Sequence, residues 1–502
     1  MKLEHVIALF LIPVVGISSS LLAIWSRTVR DVFFFLIITF ALFTERLDVN
    51  FFSEAWYRGT TRGLQFSLMH IFAFALLVGC LFGRMEAERR PRWFWPGSLG
   101  VMLVYLFYSA VSVITSEPKL FGAFELSKIL GSILVFLAAA AYVRTKREWT
   151  VLILALGCAV TFEGLWAVKQ KFITHLDRVA GTLDHPNSLS MYFCMCAPVL
   201  IAVAYAGWST WLRWFAGISA AFAAVGLLLT VSRAGIPVFA AVGLATFVLC
   251  ASWKFSFRMI ITRAAMGAAL CLVIIALSGQ IMQRYGTASL HEEYLDESVD
   301  GRGVYLRLAK NIVSDHFFGV GLNNWSYHVS RTYGPQLGYN FEDYDYLNAV
   351  YGTTNIGRVY GDAYLAAPAH NLAALTLGEL GIPGLLIFLF MWGSWFWMGL
   401  PFLFGRRDDP MRTIGVGLFF AVCGAFGQSI TEWIFRQPGI LMTFHILMGS
   451  LAAVAYARRE ERKRQAVIAA EAEVGTAYRI NRVPRSPTPS GQRTVAPQIQ
   501  TI

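Results

Sequence analysis

Long apolar runs, separated by polar connections, make up most of the chain. A helix needs about 20 predominantly apolar residues to cross a bilayer, and roughly thirteen runs approach that length. The second run is short, and the first lacks a cleavage pattern and is interpreted as a retained span. The candidate spans are residues 4–25, 31–44, 66–83, 98–115, 125–143, 149–168, 187–206, 212–231, 234–252, 259–279, 371–400, 411–430 and 437–457. This pattern predicts an all-α polytopic membrane protein with about 12–13 transmembrane helices.

One long polar stretch lies between the tenth and eleventh spans. Within it, residues 303–313 carry apolar side chains at helical spacing before Gly319-Val320-Gly321 interrupts the pattern. This predicts one amphipathic helix followed by a tight turn. Residues 327–366 are rich in Tyr and Gly without a clear period, which is typical of an irregular loop.

Four regions follow from this reading. They are an N-terminal transmembrane bundle (1–278), a large, partly helical extracytoplasmic loop domain (279–370), C-terminal transmembrane helices (371–457) and a basic cytoplasmic tail (458–502). The tail is expected to be disordered because it is rich in Arg, Pro, Ser and Gln and poor in apolar residues.

Lys and Arg concentrate in a subset of the connections, and an even number of spans separates each member of this subset from the next. Because positively charged loops stay in the cytoplasm, the other connections face the opposite side of the membrane, which in a bacterium is the periplasm or the cell exterior. These include the 279–370 loop, the 168–187 connection and the Ser232-Arg233 turn. The same count places the N-terminus outside, whereas a count without the short second span inverts this orientation.

The net charge of +11 accompanies a composition that is 56% hydrophobic and 15% charged. Most of the positive charge lies in cytoplasmic loops and the tail, so positive-inside topology and anionic membrane lipids explain it, and no nucleic-acid partner is expected. All seven cysteines lie in apolar spans and are interpreted as small hydrophobic residues. No set of residues with metal-ligand spacing emerges, and no metal or other cofactor is expected.

Two charged or titratable residues stand beside apolar spans at the periplasmic side. His370, next to Asn371, immediately precedes the eleventh span; a neutral imidazole there can accept a proton as a general base, or it can simply cap or pack at the helix start. Arg233 occupies a turn between two apolar spans. It can bind a phosphate group, or extend towards the lipid headgroups.

Six short motifs lie along residues 178–384. They are Arg178-Val-Ala-Gly-Thr182 with Pro186-Asn187, Thr230-Val-Ser-Arg-Ala-Gly235, Arg302-Gly-Val-Tyr-Leu-Arg307, Asp315-His-Phe-Phe-Gly-Val-Gly321, His370-Asn371 and Glu379-Leu-Gly-Ile-Pro-Gly384. Together they resemble the signature of the O-antigen ligase and Wzy-type polymerase superfamily. The resemblance covers about residues 178–450 in order and spacing. Phe317 stands where the family usually has proline, and Leu306 where it often has tryptophan.

The resemblance implies an inverting glycosyl transfer without a metal. The donor would be an undecaprenyl-diphosphate-linked glycan, and the acceptor a hydroxyl of a glycan, a lipid A core or another molecule, at the periplasmic face. The motifs do not separate ligation, polymerisation and transfer to protein. The implied site residues are His370 as the base, Arg233, Arg302, Arg307 and Arg178 for the donor diphosphate, and Asn371 and Glu379 in support.

Alternatives remain open at this stage. Arg307 and Arg178 fit surface ion pairs as well as diphosphate contacts. Glu379 and Glu432, near or within apolar spans, fit structural ion pairs with arginines. A lipid-linked oligosaccharide flippase or other polysaccharide transporter is the alternative function, although it would predict internal repeats, which the sequence does not display.

Overall fold

A computed structural model of the chain describes residues 3–43, 48–54, 56–83, 93–205, 207–251, 303–338, 366–406 and 409–480, with six single positions between 275 and 286. The chain divides into two compact units, Met1–Tyr456 and Ala457–Ile502. The first unit contains the transmembrane region and every candidate site residue that the structure describes. In the second unit, the described residues continue the last helix.

The described part of the chain is almost entirely helical. In chain order, the helices are α1 (Leu3–Trp25), α2 (Arg27–Ala41), α3 (Leu68–Phe82), α4 (Leu99–Thr115), α5 (Lys119–Tyr142), α6 (Lys146–Phe172), α7 (Pro186–Tyr205), α8 (Thr210–Thr230), α9 (Gly235–Cys250), α10 (Gly303–Asp315), α11 (Trp325–His328), α12 (Gly334–Gln336), α13 (Leu372–Gly399), α14 (Pro410–Ser429) and α15 (Pro438–Ile480). A π-helical turn joins α11 to α12 (Val329–Tyr333), and 3₁₀ turns follow α13 (Leu400–Leu403) and α14 (Ile434–Arg436).

The predicted fold class, an all-α polytopic membrane protein, is confirmed. Among the described residues, eight helices are long and apolar enough to cross a membrane, and α3, α4 and α9 are shorter apolar helices. The uncertain second span is a helix of 15 residues. The predicted span 259–279 lies outside the described residues except for three positions.

A small β-hairpin precedes α3. Strand β1 (Asp48–Phe51) pairs antiparallel with β2 (Leu64–Ser67), with Asp48 opposite Ser67. Between the strands, Tyr57 stacks on Phe121 of α5 with 3.6 Å between ring centroids, and its hydroxyl donates to the carbonyl of Asn323. The hairpin therefore attaches the segment before α3 to α5 and to the loop after α10.

The basic ends of several helices meet at one end of the bundle. Asp31 near the start of α2 accepts from Arg147 at the start of α6 (2.5 Å), and Arg30 donates to the Gly79 carbonyl near the end of α3 (2.8 Å). Arg144 lies over the ring of Phe94 at 4.9 Å. These arginines belong to the Lys- and Arg-rich connections that are predicted to lie on the same side of the membrane. The contacts among them are consistent with that prediction.

Helix α13 is broken at Gly381, whose φ of 67° lies in the left-handed region. The break frees backbone groups near Glu379, and the loop after α10 satisfies them. The amides of Val320 and Gly321 donate to the carbonyls of residues 378 and 379 (3.0 and 2.8 Å), and the Ile382 amide donates to residue 317 (3.2 Å). Two of the quoted motifs, around residues 315–321 and 379–384, are therefore partners in one backbone contact.

The amphipathic helix predicted at 303–313 is present as α10. Its residues Val304, Leu308 and Ile312 are buried, and each buried aliphatic side chain of this kind stabilises the fold by about 2 kcal/mol. They pack in a cluster with residues of α13, including Ala374 and Leu375. Helix α10 thus lies against the first half of α13, which begins two residues after His370.

Two expectations about irregular structure differ from the fold. Residues 327–336, expected to lie in an irregular loop, are helical, because Trp325, Val329 and Tyr333 form a buried face that the Tyr- and Gly-rich composition concealed. The tail expected to be disordered from residue 458 is helical as far as Ile480. Residues 339–365 and 481–502 lie outside the described part.

Candidate functional site

His370 precedes α13 by two residues and stands outside the helix itself. Asn371 is the N-cap, and its side-chain oxygen accepts a hydrogen bond from the Ala374 amide (2.9 Å). An N-cap of this type contributes about 1 kcal/mol to helix stability. The predicted supporting role of Asn371 therefore has a local basis: capping determines where α13 begins and where the preceding histidine is held.

The His370 imidazole pairs with Glu432, which follows α14. Its Nδ1 lies 2.8 Å from a Glu432 carboxylate oxygen, and the two side chains are 32% and 3% exposed. An ionised carboxylate only accepts hydrogen bonds, so Nδ1 carries the donated hydrogen in this pair. In the neutral ring, Nε2 is then the nitrogen with a free lone pair, which is the arrangement that a general base requires.

A chain of hydrogen bonds extends from Glu432 to the 168–187 connection. The second oxygen of Glu432 accepts from the Asn187 amide group (2.6 Å), and the Asn187 oxygen accepts from Arg178 Nη2 (3.1 Å). Arg178 Nε also donates to the carbonyl of Thr230 at the end of α8 (3.2 Å). Four separate parts of the chain are thereby joined around His370.

Arg233 lies in the turn that begins just after Thr230. Val231 in this turn has a left-handed φ of 49°, and the Ser232 hydroxyl accepts from the Gly235 amide at the start of α9 (3.3 Å). Arg233 is only 7% exposed. An arginine that extended to lipid headgroups would be accessible, so the burial favours the alternative in which Arg233 belongs to the polar site.

Helix α10 supplies a further side of the site. The Tyr305 ring centroid lies 5.8 Å from that of His370. Two residues further on, Arg307 is partly buried, and its Nε has no hydrogen-bond partner within the described ranges. Arg302, predicted to bind the same diphosphate, lies outside the described residues.

Glu379 belongs to a different polar cluster, in the first half of α13. Its carboxylate accepts from Arg436, and Arg436 also donates to the Thr376 hydroxyl (3.2 Å). A second buried pair, Glu125 with Lys128 (2.8 Å), adjoins it, because Lys128 Nζ donates to the Arg436 carbonyl (2.6 Å). The predicted ion pair of Glu379 with an arginine is therefore observed.

Sequence reasoning did not assign Glu432, Asn187 or Arg436 to the site. The signal for Glu432 and Arg436 was their charge next to apolar spans, where an ionised side chain is costly unless it is used or paired. That signal does not identify a partner. Asn187 appeared only as part of a quoted motif, without a role.

Burial shifts the pKa values of several titratable groups outside the spans, among them His328 and Asp48. Burial lowers the pKa of His328, whose Nε2 lies 3.1 Å from the Glu117 carbonyl oxygen. Burial also raises the pKa of Asp48 to about 6; this carboxyl lines a cavity of about 10 Å³ together with His70 and Lys128. Among the residues described, no group of three or more His, Cys, Asp or Glu side chains is placed to hold a metal ion.

Fold and site together define a polytopic membrane protein with a histidine–carboxylate pair and buried arginines at one end of its helices. Residues 218–389 match the family model described as O-antigen ligase. Over that part of the chain, the match confirms the resemblance to the O-antigen ligase and Wzy-type family, and it supports a membrane enzyme of the ligase or polymerase type. It includes Arg233, Arg307 and His370, whereas Arg178, Asn187 and Glu432 lie beyond it. No curated protein sequence matches the chain.

Proposed function

We propose that the protein transfers a saccharide from an undecaprenyl-diphosphate-linked donor to an acceptor hydroxyl at the periplasmic face of the inner membrane. The pairing of His370 with Glu432 carries this proposal, because it leaves His370 Nε2 as the proton acceptor in a half-exposed position. Arg233, in the turn after Thr230, supports it as a permanently charged group that suits a diphosphate.

The reaction has one proton and one leaving group to handle. The acceptor oxygen forms a bond to the anomeric carbon while the bond from that carbon to the diphosphate oxygen breaks. The hydroxyl proton passes to His370 Nε2, and the electron pair leaves with the lipid diphosphate. Attack opposite the leaving group inverts the anomeric centre. General-base catalysis of this kind contributes about 10²–10⁴-fold in rate.

Negative charge develops on the leaving diphosphate in the transition state, and cations held in fixed positions stabilise it. Arg233 and Arg307 are assigned to this role, with Arg302 as a further candidate from its motif. Arg178 also adds positive charge. Its hydrogen bonds to Asn187 and Thr230 additionally connect the 168–187 connection to the end of α8. Positioned donors of this kind stabilise a transition state by about 3–4 kcal/mol each.

The decisive experiment uses purified protein in detergent with an undecaprenyl-diphosphate oligosaccharide, with and without a hydroxyl acceptor. We expect one new glycosidic bond for each undecaprenyl diphosphate released, with inverted anomeric configuration by NMR. A product that forms without added acceptor indicates polymerisation, and one that requires it indicates ligation. Absence of any glycosidic product, together with translocation of the donor across proteoliposomes, would instead support the flippase alternative.

A further inference from the structure

The segment between α14 and α15 is short and densely anchored. It comprises Ile430–Gln437 and contains Glu432 near its beginning and Arg436 near its end. Arg436 is the last residue of the 3₁₀ turn Ile434–Arg436. Glu432 and Arg436 are 2% and 4% exposed. Two oppositely charged side chains are therefore buried four residues apart in a single turn.

Both of these side chains bind the beginning of α13. Glu432 pairs with His370, just before the helix, while Arg436 pairs with Glu379 and Thr376 within it. Since an α-helix rises 1.5 Å per residue, the stretch from Leu372 to Glu379 alone spans about 10 Å, and His370 lies beyond it. Attachment at two separated points restricts sliding and rotation of the turn relative to α13.

The turn is also held from α5 and α7. Lys128 Nζ donates to the Arg436 carbonyl (2.6 Å), and the Ser188 hydroxyl donates to the Gln437 side chain (2.5 Å). Ser188 adjoins Asn187, which itself contacts Glu432. The same turn is thus connected to three helices, α5, α7 and α13.

The charges of the cluster are balanced. Lys128 and Arg436 face Glu125 and Glu379, and every one of these side chains is at most 5% exposed. Burying ion pairs costs several kcal/mol per ion, so such pairs are weak sources of stability. Their directional hydrogen bonds do, however, impose a specific geometry, and here that geometry sets the location of Glu432.

We infer that Arg436 is a positioning residue for His370, an inference that rests on the proposed function. Arg436 does not touch the reacting atoms. Its ion pair with Glu379 holds the turn so that the Glu432 carboxylate stays within hydrogen-bond distance of His370 Nδ1. Loss of the pair lets Glu432 move, and the imidazole then loses the orientation that directs Nε2 towards the acceptor.

A double-mutant cycle tests this inference. Arg436→Gln should lower kcat for glycan transfer by roughly 10- to 100-fold, since small misplacements of a catalytic group have effects of this order, while KM for the donor changes less than about twofold. In a Glu432→Gln background, the same substitution should cost less than about threefold, because residues that act as a unit are not additive. Arg436→Lys should recover part of the rate.

Rates are divided by the folded fraction, measured by gel filtration and thermal unfolding. Arg412→Gln is the matched control: Arg412 is equally buried and donates to the carbonyls of Leu249 and Leu403 at the other end of α14. This control should retain the wild-type kcat per folded molecule. If Arg436→Gln does not fold, the charge-neutral pair Glu379→Gln with Arg436→Met takes its place in the cycle, as such replacements are often tolerated.

The outcomes separate this inference from the proposed function. Equal losses from the Arg436 substitution in both backgrounds, or an unchanged kcat, would overturn the positioning role while leaving the glycosyl transfer intact. Failure of the wild type to form product, or full activity of His370→Ala, would overturn the proposed function itself. A loss of rate in His370→Ala and in Glu432→Gln, together with a smaller effect of Arg436→Gln in the Glu432→Gln background than in the wild type, would support both the proposed function and the positioning role of Arg436.

Discussion

His370 Nδ1 and a carboxylate oxygen of Glu432 lie 2.8 Å apart, although 62 residues separate them in the chain. The carboxylate is almost completely buried, and the imidazole is about one third exposed. One partner therefore sets the orientation, and the other remains accessible to a substrate. This pair, and the fold that brings the two residues together, can be tested by five sets of substitutions.

His370→Ala should lower turnover by on the order of a hundredfold or more while donor binding persists, since removing a base affects the transition state more than the ground state. His370→Asn should be equally impaired, because an amide does not take the proton. Glycan transfer and donor binding are measured separately in the purified protein. His175→Ala, at an exposed histidine of the 168–187 connection, serves as the control; wild-type turnover in both His370 variants would exclude the base assignment.

Glu432→Gln should lower kcat by about 10- to 100-fold, in the range seen when an outer partner of a functional histidine is lost. The glutamine side chain has nearly the same shape as glutamate, but it lacks the negative charge that orients and stabilises a protonated imidazole. Asn187→Ala should also lower kcat, but by less, because the hydrogen bond between Glu432 and His370 persists in this variant. Steady-state kinetics with varied donor give kcat and KM for each variant. A larger change in KM than in kcat for Glu432→Gln would argue for a donor-binding role instead.

Arg233→Ala should cripple use of the donor, and Arg233→Lys should restore it poorly, because lysine does not reproduce the two-pronged guanidinium geometry. The expected loss in kcat/KM is about 10²-fold or more. Arg213→Ala, at the start of α8, is the comparison variant and should retain activity at equal expression and membrane insertion. Full activity of Arg233→Ala would leave Arg233 with a structural role only.

Gly381→Ala should destabilise the protein by at least about 2 kcal/mol, because the left-handed φ is strained for alanine. A Cβ there would also lie 2.1 Å from the carbonyl oxygen of Phe317. Gly393→Ala, on the same helix with no atom within 4 Å of the added carbon, should be neutral or slightly stabilising. Thermal unfolding in detergent compares the two. Equal midpoints would mean that the break in α13 is not maintained by Gly381.

Asp48→Asn should raise the thermal midpoint at pH 7.5, and the difference from wild type should shrink as the pH falls towards 4. Burial raises the pKa of Asp48 from 3.8 to about 6, so the folded state binds the proton more tightly than the unfolded state does. The associated stability is present below about pH 4 and is lost as the pH rises through about 6. Asn is neutral throughout and avoids this loss. Asp177→Asn, at an exposed position, is the control, and a pH-independent difference for Asp48→Asn would contradict the assignment.

Local pattern alone was enough to predict the class of the protein and the approximate limits of its helices. The length of an apolar run and its separation from the next are properties of contiguous sequence, and the cost of exposing backbone groups to lipid makes helices the available solution. The same local logic identified α10 from Val304, Leu308 and Ile312, and it identified His370 and Arg233 as polar residues beside apolar spans. It failed for residues 327–336, where burial on a neighbouring element outweighed a loop-like composition.

Pairing was decided only by the tertiary structure. Glu379 and Glu432 look alike in the sequence, each a carboxylate beside or within an apolar span. The fold places Glu379 against Arg436, 57 residues away, and Glu432 against His370, so that one carboxylate joins an ion-pair cluster and the other orients a histidine. No local pattern distinguishes them, because which side chains meet depends on how distant helices pack and on where the turn after α14 is held.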